Sequence, residues 1–361
     1  MASVEDRIKA VEEELSKTKR HKGTEHHIGL LLAKLARLRR EREFRSSKKG
    51  GGSGFDIKKA GDATVVMVGF PSVGKSTLLS KLTRAKSKVA DYEFTTLEVI
   101  PGIMEHEGAK IQVLDIPGII GGAGAGKGRG KEVISVSRKA DLILILLDAK
   151  RPEHYETIVR ELHEANIRLD EAPPEITLKK GIRGGVHITT SKKLTRLNRK
   201  SIIEILNEFG MHNGTITFRE DAGPERLVDA LAGNRIYIPS VVAVNKVDTV
   251  GGKLPAGFPQ GALAISAGKG EGIDALKGKI YEKLGLIKVY TKPRMGEIKY
   301  DEPMVLHLGD TVEGACRKLP RDFLREFRYA LVWGKSVKFP GQRVGLEHVL
   351  RDGDILSIVK W

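Results

Sequence analysis

Apolar residues recur at three- and four-residue spacing near the start of the chain: Ile8, Val11 and Leu15, then, after the break HKGTEHH, Ile28, Leu31, Leu32, Leu35 and Leu38. This period predicts two helices folded into a hairpin, the first opened by Ser3 and Asp6 as a capping pair. KKGGGSG at 48–54 interrupts all periodicity and predicts a flexible tether. From Ala63 the pattern changes to short β-rich runs alternating with helical stretches, the signature of a parallel sheet with crossover helices. ATVVMVGF is the expected first strand and STLLSKLT the helix after it. VIPGIMEHEG and AKIQVLDIPG form an expected hairpin turning near Glu107 and Gly108, and LILILLDA and VVAVNKVD are expected as later buried strands.

Roughly 90 residues separate those last two strands, whereas a helical crossover unit takes about 30. The surplus has its own rhythm: PEITLKKG, VHITTS and GTITFRE as strands, LTRLNRKSIIEILNEFG and GPERLVDALAG as helices, which predicts a small α/β subdomain over about 170–235. After IYEKLGLIKVYTKP, the runs PMVLHLG, YALVWGKSVKF and DILSIVKW alternate like strands around DTVEGACRKLPRDFLREF, read as a single helix. The expected organisation is a helical hairpin at 1–47, a linker at 48–61, a central α/β domain at 62–289 carrying the insert, and a terminal mixed sheet at 290–361.

With 361 residues, more than one core is expected. The net charge of +16 and a pI near 9.7 favour a polyanionic partner such as RNA over an anionic membrane. One basic run, RLRREREFR, ends the second helix. Another spans 176–203, where Lys179, Lys180, Arg183, Lys192, Lys193, Arg196, Arg199 and Lys200 occur with no acid. Each run reads either as a nucleic-acid contact or as a solvated face. The single cysteine, Cys316, cannot form an internal disulfide, and MASVEDRIKAVEEEL has no apolar signal core, so a reducing cytoplasm is expected. Apolar stretches such as LILILL at 142–147 fall far short of the roughly 18 residues a membrane span needs, so no membrane association is expected.

GFPSVGKST at 69–77 matches G-x-x-x-x-G-K-[ST] between an expected strand and an expected helix. In such a loop the backbone N–H groups point inward and the helix N-terminus favours an anion, so a nucleotide phosphate is the expected guest of Gly69, Phe70, Pro71, Ser72, Val73, Gly74, Lys75, Ser76 and Thr77. Lys75 would reach the terminal phosphates and the Ser76 hydroxyl would join a Mg²⁺ shell. DIPG at 115–118 ends the next buried strand, where Asp115 can meet Mg²⁺ and the Gly118 N–H the γ-phosphate. In NKVD at 245–248, the Asp248 carboxylate can accept two hydrogen bonds from guanine, a donor pair adenine lacks, which selects GTP and GDP. Asn245 would brace the loop and the Lys246 stem would lie across the base. In LAISAGKG the N–H near Ala267 can meet the guanine carbonyl while Ser266 fixes the loop. A further Mg²⁺ ligand is expected from Thr95 or Thr96 in EFTTLEVIPG, which spacing alone does not separate.

In this order the motifs resemble those of the developmentally regulated GTP-binding proteins, relatives of the Obg GTPases, in an archaeal-like form. The resemblance covers almost the whole chain: HHIGLLLAKLARLRRE, GFPSVGKSTLLSKLT, YEFTTL, LDIPGII, the GKGRG loop, NKVD, the insert and the region from YTKP to VKW. It implies a Ras-like P-loop GTPase domain followed by a ubiquitin-like β-grasp TGS domain, with Thr96, the second threonine of FTT, as the Mg²⁺ ligand. It also implies association with ribosomes and translation, ribosomal RNA or tRNA as contacts, and a partner protein of the DFRP type. A monomer is expected.

The residue after D-x-x-G, a water-positioning glutamine in Ras-like enzymes, is Ile119 here, which cannot hydrogen-bond, so intrinsic hydrolysis is expected to be slow. Either K⁺ or a partner would supply the missing catalytic group. Related potassium-using GTPases often carry asparagine where this chain has Ser72, whose hydroxyl is the substitute candidate. Lys75, Thr96, Gly118 and Ser72 are therefore the expected catalytic set. GGAGAGKGRG at 121–130 reads as a switch ordered by the γ-phosphate, as an RNA contact through Lys127 and Arg129, or as an inert loop. The leading expectation is a GTPase whose nucleotide state controls docking to ribosomal RNA or a ribosome-bound factor. The rivals are a scaffold holding GTP as a structural ligand, and an RNA-binding protein indifferent to nucleotide.

Overall fold

A computed structural model describes residues 3–19, 21, 23–47, 60–83, 100–115, 137–293 and 297–361. The chain begins with helices α1 (Val4–Lys17) and α2 (Glu25–Ser47), then β1 (Ala63–Val68), α3 (Lys75–Leu82), β2 (Ile100–His106), β3 (Ala109–Asp115), β4 (Leu142–Asp148) and α4 (His154–Glu164). There follow β5 (Ile167–Leu169), β6 (Ile176–Lys180), β7 (Val186–Thr190), α5 (Arg199–Glu208), β8 (Gly214–Phe218), α6 (Pro224–Ala232) and β9 (Ile236–Ile238). The last third holds β10 (Ser240–Asn245), β11 (Leu263–Ala264), α7 (Ile273–Lys283), β12 (Leu286–Thr291), β13 (Lys299–His307), α8 (Val312–Lys318), α9 (Asp322–Arg325), β14 (Phe327–Trp333), β15 (Gln342–Val344) and β16 (Ile355–Lys360). Contacts divide these into two compact units, residues 1–54 with 166–237 and residues 55–165 with 238–361.

The larger unit is built on a six-stranded sheet ordered β11-β10-β4-β1-β3-β2, parallel except for β2 against β3. Every residue from Leu142 to Leu147 is at most 1% exposed, because a parallel strand covered on both faces needs apolar side chains on each. Each such side chain contributes roughly 1.5–3 kcal/mol of transfer free energy. The turn between β2 and β3 is two residues long, Glu107 at φ 51° and Gly108 at φ 81°, the left-handed pair that matches strand twist. The terminal part of this unit is a second sheet, β13-β12-β16-β14-β15, with α8 across one face. β12, Leu286–Thr291, pairs with β13 and β16, so this sheet includes the chain from Leu286 onward. The long helix expected over DTVEGACRKLPRDFLREF is two short ones: Pro320 has no amide hydrogen to give and pushes Leu319 to extended backbone at ψ 169°.

In the smaller unit the α1–α2 hairpin and the insert share one body, although they read as separate pieces in the sequence. α1 carries the reciprocal cap, the Asp6 N–H donating to Ser3 Oγ and the Ser3 N–H to Asp6 Oδ2. Leu31, Leu35 and Leu38 of α2 pack on Ile8 and Val11. A second stripe, with Ala33 and Ala36, packs on Ile202, Ile205 and Leu227 of the insert. At Gly29 a Cβ would sit 3.0 Å from Ile205 and Pro224, so the small residues on that stripe allow the close approach. The insert sheet runs β6-β8-β7 over this core, and a two-stranded β5-β9 sheet closes its root. No helix among the described residues is long and apolar enough to cross a membrane.

Candidate nucleotide-binding site

β1 ends at Val68 and the chain turns through 69–74 before α3 begins at Lys75, so the phosphate-loop motif lies at the carboxyl edge of the sheet. Its two fixed glycines have separate reasons. A Cβ on Gly69 would lie 2.5 Å from the Leu146 carbonyl oxygen, closing the space that lets the loop lean on β4. Gly74 caps α3 at φ 100°, and a Cβ there would collide with Asn245 Nδ2. Pro71, Ser72, Gly74, Lys75, Ser76, Thr77 and Asp115 line a cleft of ≈ 490 Å³. Val73 points the other way, 2% exposed, and the Phe70 ring stacks on His154 with centroids 3.8 Å apart.

Lys75 curls over the loop, its Nζ donating to the carbonyl oxygens of Gly69 at 3.0 Å and Phe70 at 3.2 Å. Burial lowers its pKa, against the Asp115 charge that raises it. The Asp115 carboxyl is shifted upward by burial, opposed by a hydrogen bond from Ser76 and by the charge of Lys75. Ser76 Oγ donates to Asp115 Oδ2 at 3.1 Å, while Asp115 Oδ1 is buried with no hydrogen-bond partner among the described residues. An orphaned carboxylate oxygen beside a hydroxyl, facing a phosphate loop, fits Mg²⁺, a hard cation taking oxygen donors from protein, phosphate and water. Among the described residues no group of three His, Cys, Asp or Glu is placed to hold a metal ion.

Two loops on the far side of the cleft are tied into it. Asn245 Nδ2 donates to the Val73 carbonyl oxygen at 2.9 Å and its Oδ1 accepts from the Ala267 N–H at 2.9 Å, so one buried side chain joins the phosphate loop to the SAGKG loop. That bond occupies the Ala267 amide, which the sequence offers to a guanine carbonyl. Ser266 holds its loop through its N–H to the Glu271 carbonyl and its Oγ as acceptor from the Lys269 N–H. Lys246, at φ 63°, sends its Nζ to the Ser72 carbonyl oxygen and to Asp148 Oδ2, both at 2.8 Å. Burial works to raise the Asp148 carboxyl, but bonds from Lys246 and the Lys150 N–H hold it below the ordinary range. Asp148 belongs to none of the sequence motifs. The available signal was register, since it ends β4 directly beside Asn245 at the end of β10. Asp248 lies exposed in a short 3-10 turn just after, where its carboxylate is open to a ligand. Thr95, Thr96, Gly118, Ile119 and the glycine-rich 121–130 lie outside the described residues.

Three family models cover the chain in succession: a 50S ribosome-binding GTPase over 64–180, the C-terminal region of that domain over 183–286, and a TGS domain over 287–360. An uncharacterized GTP-binding protein of Methanocaldococcus jannaschii is 51% identical, with 99% of this chain and 93% of that protein aligned. Developmentally-regulated G-protein 3 of Arabidopsis thaliana is 47% identical with both chains covered completely, and developmentally-regulated GTP-binding protein 1 of Xenopus laevis is 45% identical over 98% of each. The chain belongs to the developmentally regulated GTP-binding protein family. As a family member the protein is a P-loop GTPase that binds GTP and GDP, typically with Mg²⁺, and it carries a TGS domain.

Proposed function

We propose that the protein is a slow, Mg²⁺-dependent GTPase whose nucleotide state controls docking to ribosomal RNA or tRNA on the ribosome. The observation that carries the nucleotide half of this reading is the orphaned Asp115 Oδ1 beside Ser76, at the edge of the phosphate loop. Ser76 and Asp115 would hold Mg²⁺, joined by Thr96, and the ion supplies positive charge against that gathering on the γ-phosphate oxygens. Lys75 exchanges its contacts with the Gly69 and Phe70 carbonyls for the terminal phosphates, a swap that needs only side-chain rotation. Asp248 reads the guanine edge, and Asn245 and Lys246 hold that reader in register with the phosphate loop. Gly118 donates its N–H to the γ-phosphate. Ile119 cannot orient a water, so turnover waits on K⁺ near Ser72 or on a partner that supplies the missing group.

The partner half is supported by the family description as ribosome-binding and by the charge of +16. Lys179, Lys180, Arg183, Lys192 and Lys193 are all exposed on the insert, whereas Arg196 is spent internally on Glu25 at 2.9 Å and Glu225 at 3.5 Å. The protein acts as a cytoplasmic monomer, with a DFRP-type protein as its companion. Co-sedimentation with ribosomes under GDP and under a non-hydrolysable GTP analogue, paired with single-turnover hydrolysis in K⁺ and in Na⁺, tests both halves. Stronger binding with the analogue and ribosome-stimulated turnover are expected. Equal binding in both nucleotide states with no stimulated turnover would leave GTP as a structural ligand.

A further inference from the structure

The terminal sheet has α8 on one face only, and the residues of its other face can be read from register. Tyr290, Ile355 and Trp333 lie in one row across β12, β16 and β14, with Tyr329 and Val359 paired farther along β14 and β16. Near β13 this face abuts the GTPase core through Leu286 and Val305. Away from it the rings are matched with cations. The Arg343 guanidinium lies 4.1 Å from the Tyr329 ring centre, Arg328 lies 4.5 Å from Trp361, and the Lys292 ammonium lies 4.9 Å from Trp333. Among the described residues none of these three cations is in an ion pair with a carboxylate, and Trp361 is 83% exposed. Both tryptophans of the chain are on this patch.

We infer that this face of the terminal sheet is a stacking platform for unpaired RNA bases, an inference that rests on the reading of RNA as the partner. A π-face accepts any base, a sheet spaces such faces regularly along an extended strand, and a guanidinium lying on a ring keeps its in-plane N–H groups for phosphates. An apolar polypeptide interface would deplete charge at its centre, but here each of the rings at Tyr329, Trp333 and Trp361 has a cation against it. The uncompensated cations match a polyanion. Duplex RNA buries its bases and offers this patch only its phosphates.

The two tryptophans make the test direct, because emission reports on this patch alone. The full chain is titrated with an unpaired mixed-sequence RNA oligonucleotide and with an RNA duplex of matched charge, following tryptophan emission and fluorescence anisotropy of the labelled RNA. Quenching is expected with the unpaired strand and not with the duplex. Trp361→Ala and Tyr329→Ala should each weaken unpaired-strand binding about tenfold and leave the duplex unchanged, while Trp361→Phe, which keeps a ring, should stay within about threefold of the parent. Unpaired RNA that binds without quenching, or binds both alanine variants with parental affinity, overturns the inference and leaves the face to a polypeptide. A chain that binds neither RNA overturns the choice of RNA as partner as well.

Discussion

The six-stranded sheet of the GTPase and the three-stranded sheet of the insert bury their strands differently, and the difference decides where chemistry can sit. β1 and β4 are buried almost throughout, on both faces, so no side chain along them can reach a ligand. Everything useful is displaced to the strand ends: the loop after β1, Asp115 ending β3, Asp148 ending β4 and Asn245 ending β10. In the insert only one face is covered. Leu178, Ile188 and Ile216 turn to the helices, while Thr177 and Thr189 flank Thr217, and Lys179 and His187 flank Thr215, on the other side. A sheet with two covered faces works at its rim, and a sheet with one works on its surface.

The rim side of this comparison is tested most severely by Asp248→Asn, which should weaken GTP and GDP alike by about 100-fold, since charge-assisted bonds to the base are common to both states. Calorimetric titration measures it, and unchanged guanine affinity would remove Asp248 as the base reader. Next in size, Asn245→Ala strands the Val73 carbonyl and the Ala267 amide in a buried place and should cost about 2 kcal/mol of stability in urea unfolding. A loss within error would mean that the two loops keep their positions without it. The smallest effect belongs to the surface side. Lys179→Glu should change stability by less than about 0.5 kcal/mol while lowering the salt slope of RNA binding by about one. A large stability loss there would show that the open face carries structure after all.

The rim was readable from one-dimensional spacing because its residues are set by local backbone needs: Gly74 by a left-handed turn, Asp115 and Asn245 by the end of an apolar run. What spacing could not give is pairing across the chain. Spacing groups Leu32 with Leu31 and Leu35 on one stripe of α2, yet Leu32 packs toward the insert and Leu31 toward α1, because a helix clasped on two sides blurs its own period. The acid-free run at 176–203 overstated its free charge for the same reason, since the carboxylates that bind Arg196 come from Glu25 and Glu225. At Pro320 the missing amide hydrogen outweighs the apolar period around it and divides the helix. Asp148 carries no motif of its own, and only strand register brings it to Lys246.

The tight turn at Glu107 and Gly108 has one more lesson. Glu107 bonds Lys288 at 2.7 Å, Asp62 meets Lys318 at 3.1 Å, and a methyl on Gly108 would come within 2.8 Å of Pro303. The C-terminal module is thus fitted to the catalytic body like a tenon to its mortise. A chimera carrying a foreign module would lose both ion pairs and inherit an ill-fitting seam, so an exchange between relatives would have to carry the hairpin along.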